Sequence, residues 1–225
     1  MQAVIFDYGE VLCHRDPEAY RKLLNLTQLD APAFEHIYWH DRHQYDLGTL
    51  DAATFWRQFG GHAGRTFTDA EIHELVDYDV QLWTPTNPAM LAWVAALQAT
   101  GLRTAVLSNM GPDLLNLMRR SPDFAWLRGF THLTFSCELG VAKPDPAIYL
   151  FTCEKLGVPP EQCLFIDDKP ENVAAAEALG IHAVRFTGAA QLRKDLAARN
   201  WLQDYPQPEA DGAPPQGTDL LTAVL

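Results

Sequence analysis

Three apolar runs in the chain end on polar side chains of the kind that do chemistry. Ala3-Val4-Ile5-Phe6 runs into Asp7, Thr104-Ala105-Val106-Leu107 into Ser108 and Asn109, and Cys163-Leu164-Phe165-Ile166 into Asp167 and Asp168. An acid at the end of a buried strand is costly unless something pairs with it, so Asp7 is either a satisfied structural group or one placed for chemistry. Brought to one edge of a parallel sheet, the three ends offer a carboxylate nucleophile, a hydroxyl with an amide, and a carboxylate pair. Lys143, in GVAKPDP, adds a cation. Such a set suits phosphoryl transfer, where catalysis is mostly positioning and charge neutralisation. Asp7 can attack a phosphate dianion only if the repulsion between them is cancelled. Lys143 would neutralise the nucleophile and the transferring group, while Ser108 and the Asn109 backbone would bind phosphoryl oxygens. Asp168, with Asp7 and a backbone carbonyl, would make an oxygen-only site for Mg²⁺.

The elements that must carry these residues are legible in the same way. A fourth apolar run, His132-Leu133-Thr134-Phe135, and a fifth, His182-Ala183-Val184-Arg185-Phe186, read as further buried parallel strands. Helices with readable ends separate them. Asn87 caps one that begins at Pro88 and stops at Gly101, Asp145 and Pro146 open one that Gly157 closes, and a third runs from about Pro170 to Leu179 with Gly180 as its stop. Strand and helix in alternation predict an α/β fold, a doubly wound parallel sheet. Residues 14–87 differ: they hold amphipathic helical stretches (Pro17 to Leu26, Ala31 to Tyr45, Ala52 to Phe59, Asp69 to Leu82) and no buried strand. They predict a helical cap inserted over the C-terminal end of the first strand, so that the core domain comprises 1–13 and 88–204. After Trp201 the chain turns to YPQPEADGAPPQGTD, and 205–225 is expected to be a loosely held tail.

Composition bounds the function. The 225 residues, 48% hydrophobic and 20% charged, suffice for one core and a smaller accessory module, which excludes a disordered chain. With 17 basic against 29 acidic residues the formal net charge is −12, so neither nucleic acid nor an anionic membrane is expected as a partner. Cys13, Cys137, Cys153 and Cys163 show no CxxC spacing, and no apolar run reaches the ~18 residues of a membrane helix. The expectation is a reduced, cytoplasmic protein whose small anionic substrate is met by local cations or a metal. Nothing in the sequence bears on its oligomeric state.

IFDYGEVL, LSN, the lysine of VAKPDPAIY and the acidic pair of FIDDKPENV, in that order over about residues 3 to 186, resemble the haloacid dehalogenase-like (HAD) hydrolase superfamily. The resemblance implies that Asp7 is the nucleophile and forms an aspartyl-phosphate, that Ser108 binds phosphate, that Lys143 orients, and that the last acids hold Mg²⁺. One departure stands out: most family phosphatases carry a second aspartate two residues after the nucleophile, and here that place is Gly9. That removes the usual general acid/base, a contribution of ~10²–10⁴ in rate, and leaves the Gly9 carbonyl for the metal. The FDxGxVL form resembles a subgroup that includes sugar-phosphate phosphatases such as a glucose-1-phosphatase. The resulting expectation is a Mg²⁺-dependent phosphatase of a small phosphorylated metabolite, a sugar phosphate being one candidate. A metal-independent haloacid dehalogenase and a catalytically silent phosphate-ligand binding protein are its rivals, and the acidic pair favours the phosphatase.

Other residues carry weaker signals. Glu10 and His14 could replace the missing acid/base, although Glu10 could equally pair with a lid cation. His36, His40 and His43 fall at i, i+4, i+7 and could share a helix face, a spacing that suits a metal but is commoner for surface histidines. His40, Arg42 or His43 is a candidate to touch substrate from the cap. Tyr38, Trp39, Tyr45, Phe55, Trp56 and Phe59 read first as helical core and second as a substrate wall.

Overall fold

The computed structural model describes residues 1–209; residues 210–225, most of the tail expected to be loose, lie outside the described residues. Among the described residues five strands form one parallel sheet: β1 (Ala3–Phe6), β2 (Arg103–Ser108), β3 (His132–Phe135), β4 (Cys163–Asp167) and β5 (His182–Arg185), in the order β3-β2-β1-β4-β5. The strands read as near-continuous apolar runs because both faces are covered. Val4, Phe6, Val106, Leu164 and Ile166 point to one core, with Met90, Trp93 and Leu97. Ala3, Ile5, Ala105, Leu107 and Phe165 point to the other, with Ile148, Tyr149 and Leu156. The strand order reverses at β1, with β2 on one side and β4 on the other. In such sheets the crevice beyond the strand ends at this point is where ligands bind.

The helical insertion runs between β1 and the helix that begins at Pro88. It consists of α1 (Pro17–Thr27), α2 (Ala31–Asp46), α3 (Ala52–His62) and α4 (Asp69–Leu82). Aspartates cap the first three, with Asp16, Asp30 and Asp51 each accepting from the first-turn backbone, and Thr68 and Glu71 form a capping box on the fourth. The two chain crossings into the insertion lie side by side: Cys13 and Thr86 pair in an antiparallel bridge, and the Asn87 N–H donates to the Leu12 carbonyl at 2.8 Å.

The rest of the framework is α5 (Pro88–Ala99), α6 (Pro112–Arg120), α7 (Ser136–Leu139), α8 (Pro146–Leu156), α9 (Pro170–Ala178) and α10 (Ala189–Ala198). Of these, α6, α7 and α10 had no counterpart in the sequence reading. The described start of the tail is packed: Trp93 Nε1 donates to the Pro206 carbonyl at 2.7 Å, and Gln207 donates back to Leu202 and Tyr205. No helix among the described residues is long and apolar enough to cross a membrane.

Candidate active site

The ends of β1, β2 and β4 bring Asp7, Ser108 and Asp168 to one cleft, with Asp167 buried beside them. The loop before α8 delivers Lys143. Its ammonium is buried between two carboxylates, 2.8 Å from Asp7 Oδ1 and 2.6 Å from Asp167 Oδ2. Burial works against that ammonium, but the charges of Asp167 and Asp7 hold its proton above the ordinary lysine value. The loop itself is latched to β2. Asn109 Oδ1 accepts from the Lys143 N–H at 2.8 Å and Asn109 Nδ2 donates to the Lys143 carbonyl at 2.9 Å. The Asn109 side chain is therefore committed to the lysine loop, which leaves the backbone as its route to a ligand.

The three acids differ in what surrounds them. Asp167 is fully enclosed: besides Lys143 it accepts from the Lys169 N–H at 2.8 Å and from Asn172 Nδ2 at 3.0 Å on both oxygens. Asp7 receives Lys143 and the Tyr8 N–H on Oδ1, and its Oδ2 has no hydrogen bond among the described residues. Asp168 lines the cleft, and its carboxylate has neither hydrogen bond nor ion pair among the described residues. One oxygen from each acid falls within 4.8 Å of the others, and only Asp7 and Asp167 pair with the Lys143 ammonium. Burial, opposed by Lys143 and reinforced by Asp167 and Asp168, pushes the Asp7 carboxyl up to about 7. Burial and the Asp167 charge also raise Asp168. An excess of buried carboxylate oxygens that no side chain satisfies is what a hard, oxygen-binding dication fits. Asp7 and Asp168 are suited to hold it, whereas Asp167 is occupied by other donors.

The cleft, about 200 Å³, is walled by both halves of the molecule. The core supplies Asp7, Ser108, Lys143, Asp168 and Lys169; the insertion supplies Arg15, Trp39, Arg42 and Trp83. Arg15 lies over both indoles and bridges Glu10 (3.2 Å) and Glu35 (2.6 Å). Glu10 thus does pair with a cation of the insertion, yet it remains on the cleft lining, and burial raises its carboxyl. His14 is not on the lining. Gly9 is, and a Cβ built there would sit 3.4 Å from the Trp83 ring, in ordinary van der Waals contact.

Of the aromatic stripe, Tyr38, Tyr45, Phe55, Trp56 and Phe59 are core, and Trp39 alone reaches the cleft. Arg42 reaches it too, held by Asp46 (2.9 Å) and Asp79 (2.8 Å), whereas His40 and His43 do not. Sequence reasoning missed Asn172, Lys169, Arg15 and Trp83. Lys169 and Asn172 were within reach of it, both belonging to the FIDDKPENV motif; Arg15 and Trp83 depend on how the insertion folds over the sheet.

A family model described as haloacid dehalogenase-like hydrolase matches residues 1–180. The chain belongs to the haloacid dehalogenase-like hydrolases. Within that family, a phosphoglycolate phosphatase of Rhodospirillum rubrum is 30% identical over 245 residues, which span 95% of this chain and 96% of the relative. In the first curated relatives it matches, this HAD-like chain spans only 10% to 48% of their length. Among solved structures, one described as a predicted HAD-like family hydrolase, from Porphyromonas gingivalis, superposes with a TM-score of 0.65 at 26% identity, over 82% of this chain and 90% of that one. A HAD family enzyme of Bacteroides thetaiotaomicron, solved as a magnesium complex, shares the fold with a TM-score of 0.63 at 21% identity, over 83% and 93%.

Proposed function

We propose that the chain is a Mg²⁺-dependent, cytoplasmic phosphatase that hydrolyses a small phosphorylated metabolite through an aspartyl-phosphate on Asp7. The observation that carries this reading is the asymmetry of Asp7: Oδ1 accepts from Lys143 and the Tyr8 N–H, while Oδ2 is left without a donor beside an unpartnered Asp168. Asp7 Oδ2 attacks phosphorus, the bond to the ester oxygen breaks, and the leaving alkoxide takes a proton from cleft water, Gly9 offering none. Water then attacks the aspartyl-phosphate, releasing inorganic phosphate and restoring the carboxylate. Mg²⁺, held by Asp7, Asp168 and the Gly9 carbonyl, would supply charge neutralisation for the nucleophile and the transferring group. Lys143 contributes the same from the opposite side and fixes the Asp7 rotamer, and Ser108 with the Asn109 backbone binds phosphoryl oxygens. Trp39 and Trp83 exclude water from a cleft small enough for a compact metabolite.

The chain's resemblance to sugar-phosphate phosphatases and its relation to a phosphoglycolate phosphatase both support a small phosphate ester. The test is phosphate release from a panel of phosphorylated metabolites with Mg²⁺, with acid-quenched enzyme digested and examined by mass spectrometry for phosphoryl-Asp7. Asp7→Asn, which removes the nucleophile at constant volume, should abolish both signals and leave thermal unfolding cooperative. Near wild-type turnover in that variant, or full activity in excess chelator, would overturn the reading.

A further inference from the structure

Away from the cleft, the described residues hold one other group of metal-ligating side chains, and the proposed reaction does not use it. It comprises His40 and Asp41 near the end of α2 and His62 at the end of α3. The Asp41 side chain is only 6% exposed, yet no lysine or arginine among the described residues pairs with it. Its two oxygens are instead taken by two imidazoles, Oδ1 by His40 Nδ1 at 2.9 Å and Oδ2 by His62 Nδ1 at 2.8 Å. The rings stand perpendicular with centroids 5.5 Å apart, and the donor atoms of the three residues lie within 4.8 Å of one another.

We propose that His40, Asp41 and His62 form a site for a divalent transition metal of the Zn²⁺ type that clamps α2 to α3. Two imidazoles and a carboxylate are a borderline-soft nitrogen and oxygen set, which suits Zn²⁺ and not the hard, oxygen-only chemistry of the cleft. Tetrahedral Zn²⁺ with ligand bonds of about 2.0–2.2 Å places its donors roughly 3.3 Å apart, inside the 4.8 Å that bounds the separations of one donor atom from each of the three residues. The imidazole side chains are 68% and 53% exposed, so both are free to turn. The protons that now link each Nδ1 to Asp41 move to Nε2 of the same ring, both nitrogens then donate lone pairs, and no proton is gained or lost by the neutral pair. Water completes the fourth position. His36 and His43, which share the helix, take no part, so the spacing that suggested a metal is answered by one of its three histidines with partners from outside the pattern. The clamp also bears on the cleft, because Trp39 and Arg42 flank His40 and Asp41 on α2 and both line the cleft wall.

The test is Zn²⁺ titration of the metal-free full chain by calorimetry in saturating Mg²⁺, with Co²⁺ absorption as a reporter of nitrogen-containing tetrahedral coordination. One Zn²⁺ per chain, bound with a dissociation constant of about 10 µM or tighter, and intense visible Co²⁺ bands are expected. His62→Ala, at an exposed position, should weaken Zn²⁺ binding at least about tenfold and remove the Co²⁺ bands, whereas His43→Ala and Asp168→Asn should leave both as in wild type. Wild-type affinity in His62→Ala would overturn the site, as would wild-type binding weaker than roughly 1 mM, which would leave only a pair of imidazole–carboxylate hydrogen bonds.

Discussion

Lys143 decides what its neighbouring acids can do. Asp167 shares the ammonium with Asp7 and is otherwise saturated, so its work is to hold the lysine; Asp168 has no donor and faces the cleft. Substitution should separate these roles. Asp167→Asn leaves a buried ammonium with one partner fewer, and breaking a buried pair costs about 3–5 kcal/mol, so a drop in thermal midpoint of many degrees is expected. Asp168→Asn should leave the midpoint of the metal-free protein unchanged or slightly raised and increase the Mg²⁺ concentration for half-maximal rate at least about tenfold. Matched metal titrations and melting curves for the two variants check both halves. Gly9 is the other decisive position. Its missing side chain leaves space bounded by the Trp83 ring, so Gly9→Asp is expected to fold and to supply a proton to the leaving group. The gain should be largest for alkyl phosphates, up to about 10²-fold, and small for aryl phosphates, whose leaving groups depart without help. Rates plotted against leaving-group pKa for wild type and variant measure this directly; parallel lines would show that no proton was missing. Asp7, Ser108, Lys143, Asp167 and Asp168 could be named from sequence because each sits at a strand end or in a proline-marked loop. Their division of labour could not, because it depends on which oxygen each donor reaches.

Between elements, the contact that matters is where α2 meets the core. Tyr45 of α2 donates from its hydroxyl to Asp113 of α6 at 2.9 Å, and Ser136 of α7 donates to the Asp46 carbonyl and accepts from the Met110 N–H. The Tyr45 ring lies so close to Gly111 that a Cβ there would fall 2.0 Å from it. Because Tyr45 is fully packed against Phe55, it has little room to yield. Gly111→Ala should therefore shift α2 off α6, costing about 1–3 kcal/mol of stability and displacing Arg42 and Trp39 from the cleft wall. Unfolding curves and a rise in KM larger than the fall in kcat would report the two effects. This seam also shows where sequence stopped being informative. Helices α1 to α5, α8 and α9 announce themselves through Asp, Thr or Asn caps, first-turn prolines and apolar periodicity. By contrast, α7 is a single turn, α10 begins at a glycine with neither a capping side chain nor a first-turn proline, and α6 has only Pro112 to mark its start. The insertion was legible as helical, yet its docking on the core rests on tertiary fit at Gly111 and Tyr45, which no local pattern encodes.

At the scale of the whole molecule, the net charge of −12 makes any cluster of carboxylates costly, and beside the cleft three lie together, Asp7 and Asp167 buried and Asp168 half-buried. In the metal-free protein this strain is relieved by a proton. The Asp7 carboxyl is held at about 7 in the fold against 3.8 for its ordinary value, so across that interval the folded state keeps a proton that the unfolded chain has lost. Its contribution to stability is therefore fully present below that interval and is lost as pH rises through about 7. Mg²⁺ bound as proposed would reverse the balance, because it would bind the carboxylates only after the proton has left. The rise in thermal midpoint on adding saturating Mg²⁺ should accordingly be small at about pH 5.5 and should grow to several degrees at about pH 8, with its midpoint near the Asp7 titration. Asp168 is raised in the same direction and sharpens the dependence. Asp7→Asn, which removes the titrating group, should lose most of the pH dependence together with most of the stabilisation. Calorimetric melts of wild type and variant, with and without Mg²⁺ across this range, make the comparison; a Mg²⁺-induced shift of equal size at both ends would show that the metal does not compete with the Asp7 proton and so does not bind beside it.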